Sequence, residues 1–149
     1  MIVVDASVAV KWVVDEPFSE QAAALCYDAI QARERIIAPP HFQSEVVNAI
    51  YQRVRATEPT KHLTADEART AVATFLKWPV ELLAPAGLYE TALDFARTHR
   101  LPSVYDSLYL VLAELLDAAF WTADRKLIAA VGPTRARIHW IGDYPAASR

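Results

Sequence analysis

The chain has 149 residues, 54% apolar by a broad count and 22% charged, which suits one globular domain with a sizeable core and excludes a disordered chain. Its 15 basic and 18 acidic residues leave a formal charge of −3, so wholesale coating of nucleic acid is not indicated, while local contact with phosphate through metal ions stays open. A single cysteine excludes an internal disulfide and a cysteine-rich zinc site, three glycines cannot build a P-loop or a dinucleotide fingerprint, and no apolar stretch is long enough to span a membrane.

Residues 1–5 read as a short buried strand, apolar and β-branched. Asp5 interrupts the apolar run and no basic leader precedes it, so the start is not read as a signal peptide. With the lone cysteine, this points to a cytoplasmic protein. Residues 7–14 (SVAVKWVV) are expected to be helical, because a second strand could not follow at once without a turn. Asp15-Glu16-Pro17 suits a helix start, with an alanine-rich helix over 18–33 that carries Cys26 as a small core residue. Residues 36–38 form a strand stopped by Pro39-Pro40.

Val46, Val47, Ile50, Tyr51 and Val54 recur at helical spacing and define a helix over 41–55. A loop over 57–62 precedes Thr64, which caps a helix to Lys77 with Glu67 as its capping-box partner. A strand over 80–83, a helix over 88–99 and a helix from Pro102-Ser103 to Leu116 follow. Then come a strand over 118–121, a short helix over 124–130, a strand over 137–141 and a loose tail. Strands alternate with helices throughout. The expected fold is therefore α/β: a three-layer α/β/α sandwich around a mostly parallel sheet, one domain over 1–149.

In open sheets of this kind, ligands gather outside the carboxyl ends of the strands. Asp5 ends the first strand, and Asp124 lies just past the strand over 118–121. Glu45 lies near the start of the helix after the 36–38 strand, and Asp106 lies in the first turn of its helix. Each acid has a plainer reading. Asp5 can accept helix N-terminal hydrogen bonds, Asp106 can complete a capping box with Ser103, Asp124 can cap its helix, and Glu45 can face solvent. If all four converge on one rim, their repulsion demands protons or a cation. Oxygen donors suit Mg²⁺ or Mn²⁺ and point to phosphodiester hydrolysis by metal-activated water.

Neighbouring polar residues fit the same site. Asn48 is three positions after Glu45 and can orient it or a metal-bound water, or simply face solvent. Thr122 lies two positions before Asp124 and can support a ligand or a phosphate. Ser7 can do the same or cap a helix. Arg125 and Lys126 can steady an RNA phosphate or form a solvated pair. His41, His62, His99 and His139 show no ligand spacing and read as surface or core residues, with proton transfer a lesser option. The four tryptophans read as core or interface.

VVDASVAVKW, SEVVNAI, YDSLYLVLAE and TADRKL together resemble a PIN domain, most closely the VapC-type toxin ribonucleases of bacterial toxin–antitoxin pairs. The resemblance runs from Ile2 to about Ile141 and is carried by helical character alone over about 57–90. It implies that Asp5, Glu45, Asp106 and Asp124 form an acidic Mg²⁺ or Mn²⁺ site, with Thr122 at a frequent hydroxyl position. It further implies an endoribonuclease toxin that forms a homodimer and is blocked by a VapB-type antitoxin, in a heterotetramer or larger assembly. Wide apolar arcs over 7–14 and 41–55 independently suggest a partner, or plain core packing. Two other functions compete: a non-catalytic PIN-like module binding RNA or protein, and a haloacid-dehalogenase-like phosphatase. The second wants an aspartate at position 7, where Ser7 stands.

Overall fold

A computed structural model describes residues 1–132 and 137–146. Five short strands, β1 (Ile2–Val4), β2 (Ile36–Ala38), β3 (Val80–Leu82), β4 (Ala119–Thr122) and β5 (Ile138–Trp140), form one sheet. Every pairing is parallel, and the spatial order is β3-β2-β1-β4-β5. The seven helices among the described residues are α1 (Ala6–Ala9), α2 (Ser19–Gln31), α3 (Phe42–Arg55), α4 (Ala65–Phe75), α5 (Leu88–Thr98), α6 (Tyr105–Leu115) and α7 (Arg125–Val131). They cover the sheet as the outer layers of an α/β/α sandwich.

Strands β1 and β2 are buried at every position, as expected where helices cover both faces of a parallel sheet. Helix α6 packs on β1 and β4 and is buried without a break from Ser107 to Ala113, so it is apolar all round. Ser107 resolves its burial by donating to the carbonyls of Ala92 and Val104, which ties α6 to α5. Cys26 is fully buried, and burial pushes its thiol up to about 12, in keeping with a core role. Among the described residues no helix is long and apolar enough to cross a membrane.

The order of the strands creates the feature that matters for chemistry. The chain leaves β1 toward β2 and β3 on one side, then returns through α6 to place β4 on the other side of β1. The carboxyl ends of β1 and β4 therefore flank a point where the winding reverses, which is where open parallel sheets form clefts.

Several local expectations need correction. Residues 7–14 do not form one helix. A single α turn ends at Ala9, and Val10–Trp12 tightens into a 3₁₀ turn. Val8, Val10, Val13 and Val14 disfavour a long helix through their branched side chains, and burial decides the path instead. Asp15 does not start α2. The residue before the helix is Phe18 in the left-handed region at φ 71°, and it offers no side-chain cap. The hydroxyl of Ser19 instead accepts the Glu16 N–H and donates to the Val14 carbonyl. Nor is there a Ser103 capping box, since α6 begins after Val104 with no side-chain cap. The expected loose tail is held at Tyr144, whose ring meets Trp121 edge-on and whose hydroxyl donates to Asp28 at 2.8 Å. Residues 147–149 of that tail lie outside the described residues.

The capping box on α4 is present as expected. The Thr64 hydroxyl accepts the Glu67 N–H at 3.2 Å, and the Glu67 carboxylate takes the Thr64 N–H at 2.8 Å. Thr64→Ala should cost about 1 kcal/mol, seen as a lower urea midpoint at unchanged slope. An unshifted midpoint would mean that α4 does not depend on this cap.

Candidate active site

The site is set by strand register. Val4 pairs with Trp121, and the Asp5 N–H continues the ladder to the Trp121 carbonyl at 3.3 Å. Asp5 thus stands beside Thr122, one step past the paired strands. It is also the N-cap of α1, its Oδ1 accepting the Val8 N–H at 3.1 Å.

Two hydroxyls complete its surroundings. Ser7 donates to Asp5 Oδ1 at 2.5 Å and accepts the Ala123 N–H at 2.9 Å. Thr122 is fully buried; it donates to Asp5 Oδ2 at 2.5 Å and accepts the Asp124 N–H at 2.9 Å. Each hydroxyl takes a backbone hydrogen from the β4–α7 turn and passes its own to Asp5. Ser7 therefore caps no helix; it holds Asp5. The Thr122 hydroxyl is committed to Asp5 and the turn. Burial raises the Asp5 carboxyl to about 6, with the Ser7, Thr122 and Val8 hydrogen bonds pulling down and the Asp106 charge adding to the rise.

The other acids differ in their settings. Asp124 is the N-cap of α7, its Oδ1 accepting the N–H groups of Lys126 and Leu127 at 2.8 and 3.1 Å. Its Oδ2 takes no hydrogen bond among the described residues, so capping leaves one oxygen available. Asp106 opens α6 and forms no hydrogen bond among the described residues. Burial raises its pKa first, then the charges of Asp124 and Glu45 raise it further, while His41 pulls the other way. The charges of Asp124 and Glu45 thus act on Asp106, and that of Asp106 acts in turn on Asp5.

Glu45 is placed by α3 and held by two residues whose part the sequence did not reveal. The buried phenol of Tyr109 donates to Glu45 Oε2 at 2.5 Å. His41, one turn before Glu45, brings its Nε2 to 3.3 Å from the same oxygen, close enough for charge attraction but outside good hydrogen-bond geometry. Burial acts to raise the Glu45 pKa, yet His41 and Tyr109 outweigh it and the net shift is downward. Glu45 does not simply face solvent.

The remaining candidates lie apart. Asn48 is exposed beside Val47, Tyr51 and Leu76 in a surface depression, with no hydrogen bond to Glu45 among the described residues. The Arg125 guanidinium lies over the Trp140 ring at 3.5 Å while its residue stays exposed. Lys126 is exposed.

The donor set fits a hard divalent cation. Oxygen atoms dominate, burial and mutual repulsion raise Asp5 and Asp106, and Asp106, Asp124 Oδ2 and Glu45 Oε1 retain unused lone pairs among the described residues. Among the described residues, no three acidic, histidine or cysteine side chains stand close enough together to hold a metal ion as they are placed.

Comparison with known proteins bears on the family and the fold. The PIN domain family model matches residues 2–132. Ribonuclease VapC12 of Mycobacterium tuberculosis is 33% identical over 133 residues, covering 89% of this chain and 93% of that protein. The VapC ribonuclease Mb0985 of Mycobacterium bovis is 30% identical over 127 residues, covering 85% and 88%. Two crystal structures share the fold. PAE2754 of Pyrobaculum aerophilum has TM-score 0.65 at 22% identity, covering 95% of this chain and 83% of that one. Mycobacterium tuberculosis VapC20, described as a Sarcin-Ricin loop cleaving toxin, has TM-score 0.62 at 18% identity, covering 87% and 95%. With its all-parallel five-stranded sheet and this likeness along nearly its whole length, the chain belongs to the PIN-domain family, among the VapC ribonucleases.

Proposed function

We propose that this chain is a Mg²⁺- or Mn²⁺-dependent endoribonuclease toxin of a type II toxin–antitoxin pair, acting as a single PIN domain over 1–149. The observation that carries the reading is the buried Asp5 carboxylate, fixed by Ser7, Thr122 and the Val8 N–H at the switch point and electrostatically joined to Asp106. A buried carboxylate this firmly oriented, with its pKa raised, is costly for the fold unless it serves a ligand.

Asp5, Glu45, Asp106 and Asp124 would hold the cation. When bound, the cation would supply Lewis acidity toward the phosphodiester and a water of lowered pKa. Asp5 contributes a rigid oxygen, because three donors fix its rotation. Glu45 contributes a charge that His41 and Tyr109 keep ionised. Asp106, free of hydrogen bonds among the described residues, keeps its carboxylate oxygens open to the cation or to a water on it. Asp124 joins the site to α7 and thus to the exposed Lys126, which can meet an RNA phosphate.

Exposed apolar side chains support binding partners. Val47, Tyr51 and Leu76 are exposed on α3 and just past α4, where Val54, Ala68 and Val72 help to line a groove of about 470 Å³. Tyr89 and Leu93 form a second exposed pair on α5. Surfaces of this kind suit a homodimer contact and an antitoxin of the VapB type.

Purified protein should cut RNA with Mg²⁺ or Mn²⁺ and stop on addition of chelator. The same ions should raise the melting temperature, by the equivalent of about 2.7 kcal/mol at a hundredfold excess over Kd. Cleavage that survives chelator would remove the metal mechanism. A protein that binds RNA without cutting it under any divalent ion would instead be a non-catalytic PIN-like module.

A further inference from the structure

Tyr109 lies deep in the core and reaches out to the site. Its residue is 1% exposed, and its ring stacks on Phe120 of β4 at 6.1 Å and meets His41 edge-on at 5.0 Å. The phenol is thus carried by α6 and braced on the central sheet, yet its proton goes to Glu45 on α3, 64 residues earlier in the chain. Hydrogen bonds between side chains so far apart in sequence are geometric constraints between elements.

We propose that Tyr109 is a positioning residue that fixes the Glu45 carboxylate relative to Asp5 and so sets the affinity of the acidic site for divalent cations. This rests on the metal-dependent nuclease reading. Two observations support it. The hydroxyl is committed to one carboxylate oxygen at 2.5 Å, which leaves Glu45 Oε1 as the oxygen available to a cation. The same ring is braced on Phe120 of β4, the strand that pairs with β1, so the element that carries the phenol is fixed relative to Asp5. The half-buried Glu45 side chain has three rotatable bonds. Without the phenol, Glu45 would have to be ordered by the cation itself, and that ordering would come out of the binding free energy.

Tyr109→Phe removes the hydroxyl and keeps the ring. Mn²⁺ binding to the purified protein, measured by calorimetry, is expected to weaken about tenfold, as for loss of a group that orients a metal ligand. Cleavage should return to near the wild-type rate once Mn²⁺ saturates. A merely structural role would lower the metal-free melting temperature and leave the Mn²⁺ isotherm unchanged, and that result would overturn the proposal. If Tyr109→Phe does not fold, Glu45→Asp breaks the same contact from the other side by withdrawing the carboxylate. Wild-type Mn²⁺ affinity in that variant would equally overturn it. Wild-type protein that takes up no Mn²⁺ would defeat the nuclease reading itself; wild-type uptake unchanged in the variants would defeat only this inference.

Discussion

Asp5→Asn should lower metal-dependent RNA cleavage by more than about a hundredfold, the upper end of what losing a supporting group around a metal costs, while the metal-free protein stays folded. The two effects have one cause. Asp5 is 7% exposed and its pKa is raised to about 6, first by burial and further by the Asp106 charge. Its folded pKa thus exceeds the ordinary value of 3.8, so between about pH 4 and 6 the folded protein binds more protons than the unfolded chain. The contribution of this group to stability is therefore full below about pH 4 and declines as pH rises to 6. Above that, ionised Asp5 costs the metal-free fold on the order of 3 kcal/mol.

Asparagine carries no charge and retains an oxygen for Ser7 and the Val8 N–H. In chelator at neutral pH, the melting temperature of Asp5→Asn should equal or exceed that of wild type, and its decline between pH 4 and 6 should flatten. Added Mg²⁺ should stabilise wild type and leave the variant unmoved. A variant that cleaves at near the wild-type rate would show that the chemistry lies elsewhere in the molecule. One that melts far lower in chelator would show that Asp5 serves the fold more than the reaction.

The largest effect on stability should come from Glu16→Ala, about 3–5 kcal/mol, or a fall in melting temperature of roughly 10–20 °C for a chain of this length. Glu16 binds Lys11 of the 3₁₀ turn at 2.6 Å and pairs through its other oxygen with Arg53 of α3. The three side chains are only 12%, 9% and 20% exposed. Two cations share one anion away from bulk water. Burial lowers the Lys11 pKa, and the Arg53 charge lowers it further, with Asp5 acting in the opposite direction. Removing Glu16 leaves both cations without the carboxylate that justifies their burial. Glu16→Gln should fall between, keeping polar contacts but not the charge. Chemical denaturation of the metal-free protein measures both, and a wild-type midpoint for Glu16→Ala would mean that water already screens the cluster.

The sequence was legible where the determinants are local. The β2 strand ends where Pro39-Pro40 stop it, and the α4 capping box is spelled out by Thr64 and Glu67 three residues apart. Alternation of strand and helix was enough for a parallel sheet, and the strand-end rule was enough to single out Asp5 and Asp124. Legibility failed where tertiary packing overrides propensity. The valines of 7–14 are placed by burial and break the expected helix into a single turn and a 3₁₀ turn. Phe18 adopts a left-handed conformation that nothing in Asp15-Glu16-Pro17 announces.

At the candidate site, sequence reasoning singled out the four acids and Thr122 and did not foresee the contacts of Tyr109 and His41 with Glu45. Tyr109 looked like one more apolar residue of a buried helix, and only the fold shows its hydroxyl crossing to Glu45. His41 had no metal-ligand spacing, although its place one turn before Glu45 was a signal for an interaction along the helix. Asn48 shares that helix and misses the site, since spacing alone cannot say which way a helix face is turned.

The alignment of β1 with β4 has a consequence for redesign. Side chains alternate between the two layers, so adding or deleting one residue in either strand would turn Asp5 away from Thr122 and unravel the wiring around it. The outer strands β3 and β5 are only partly covered and carry none of the four acids. Anyone retargeting this molecule has latitude along the two flanks of the sheet and almost none at its centre.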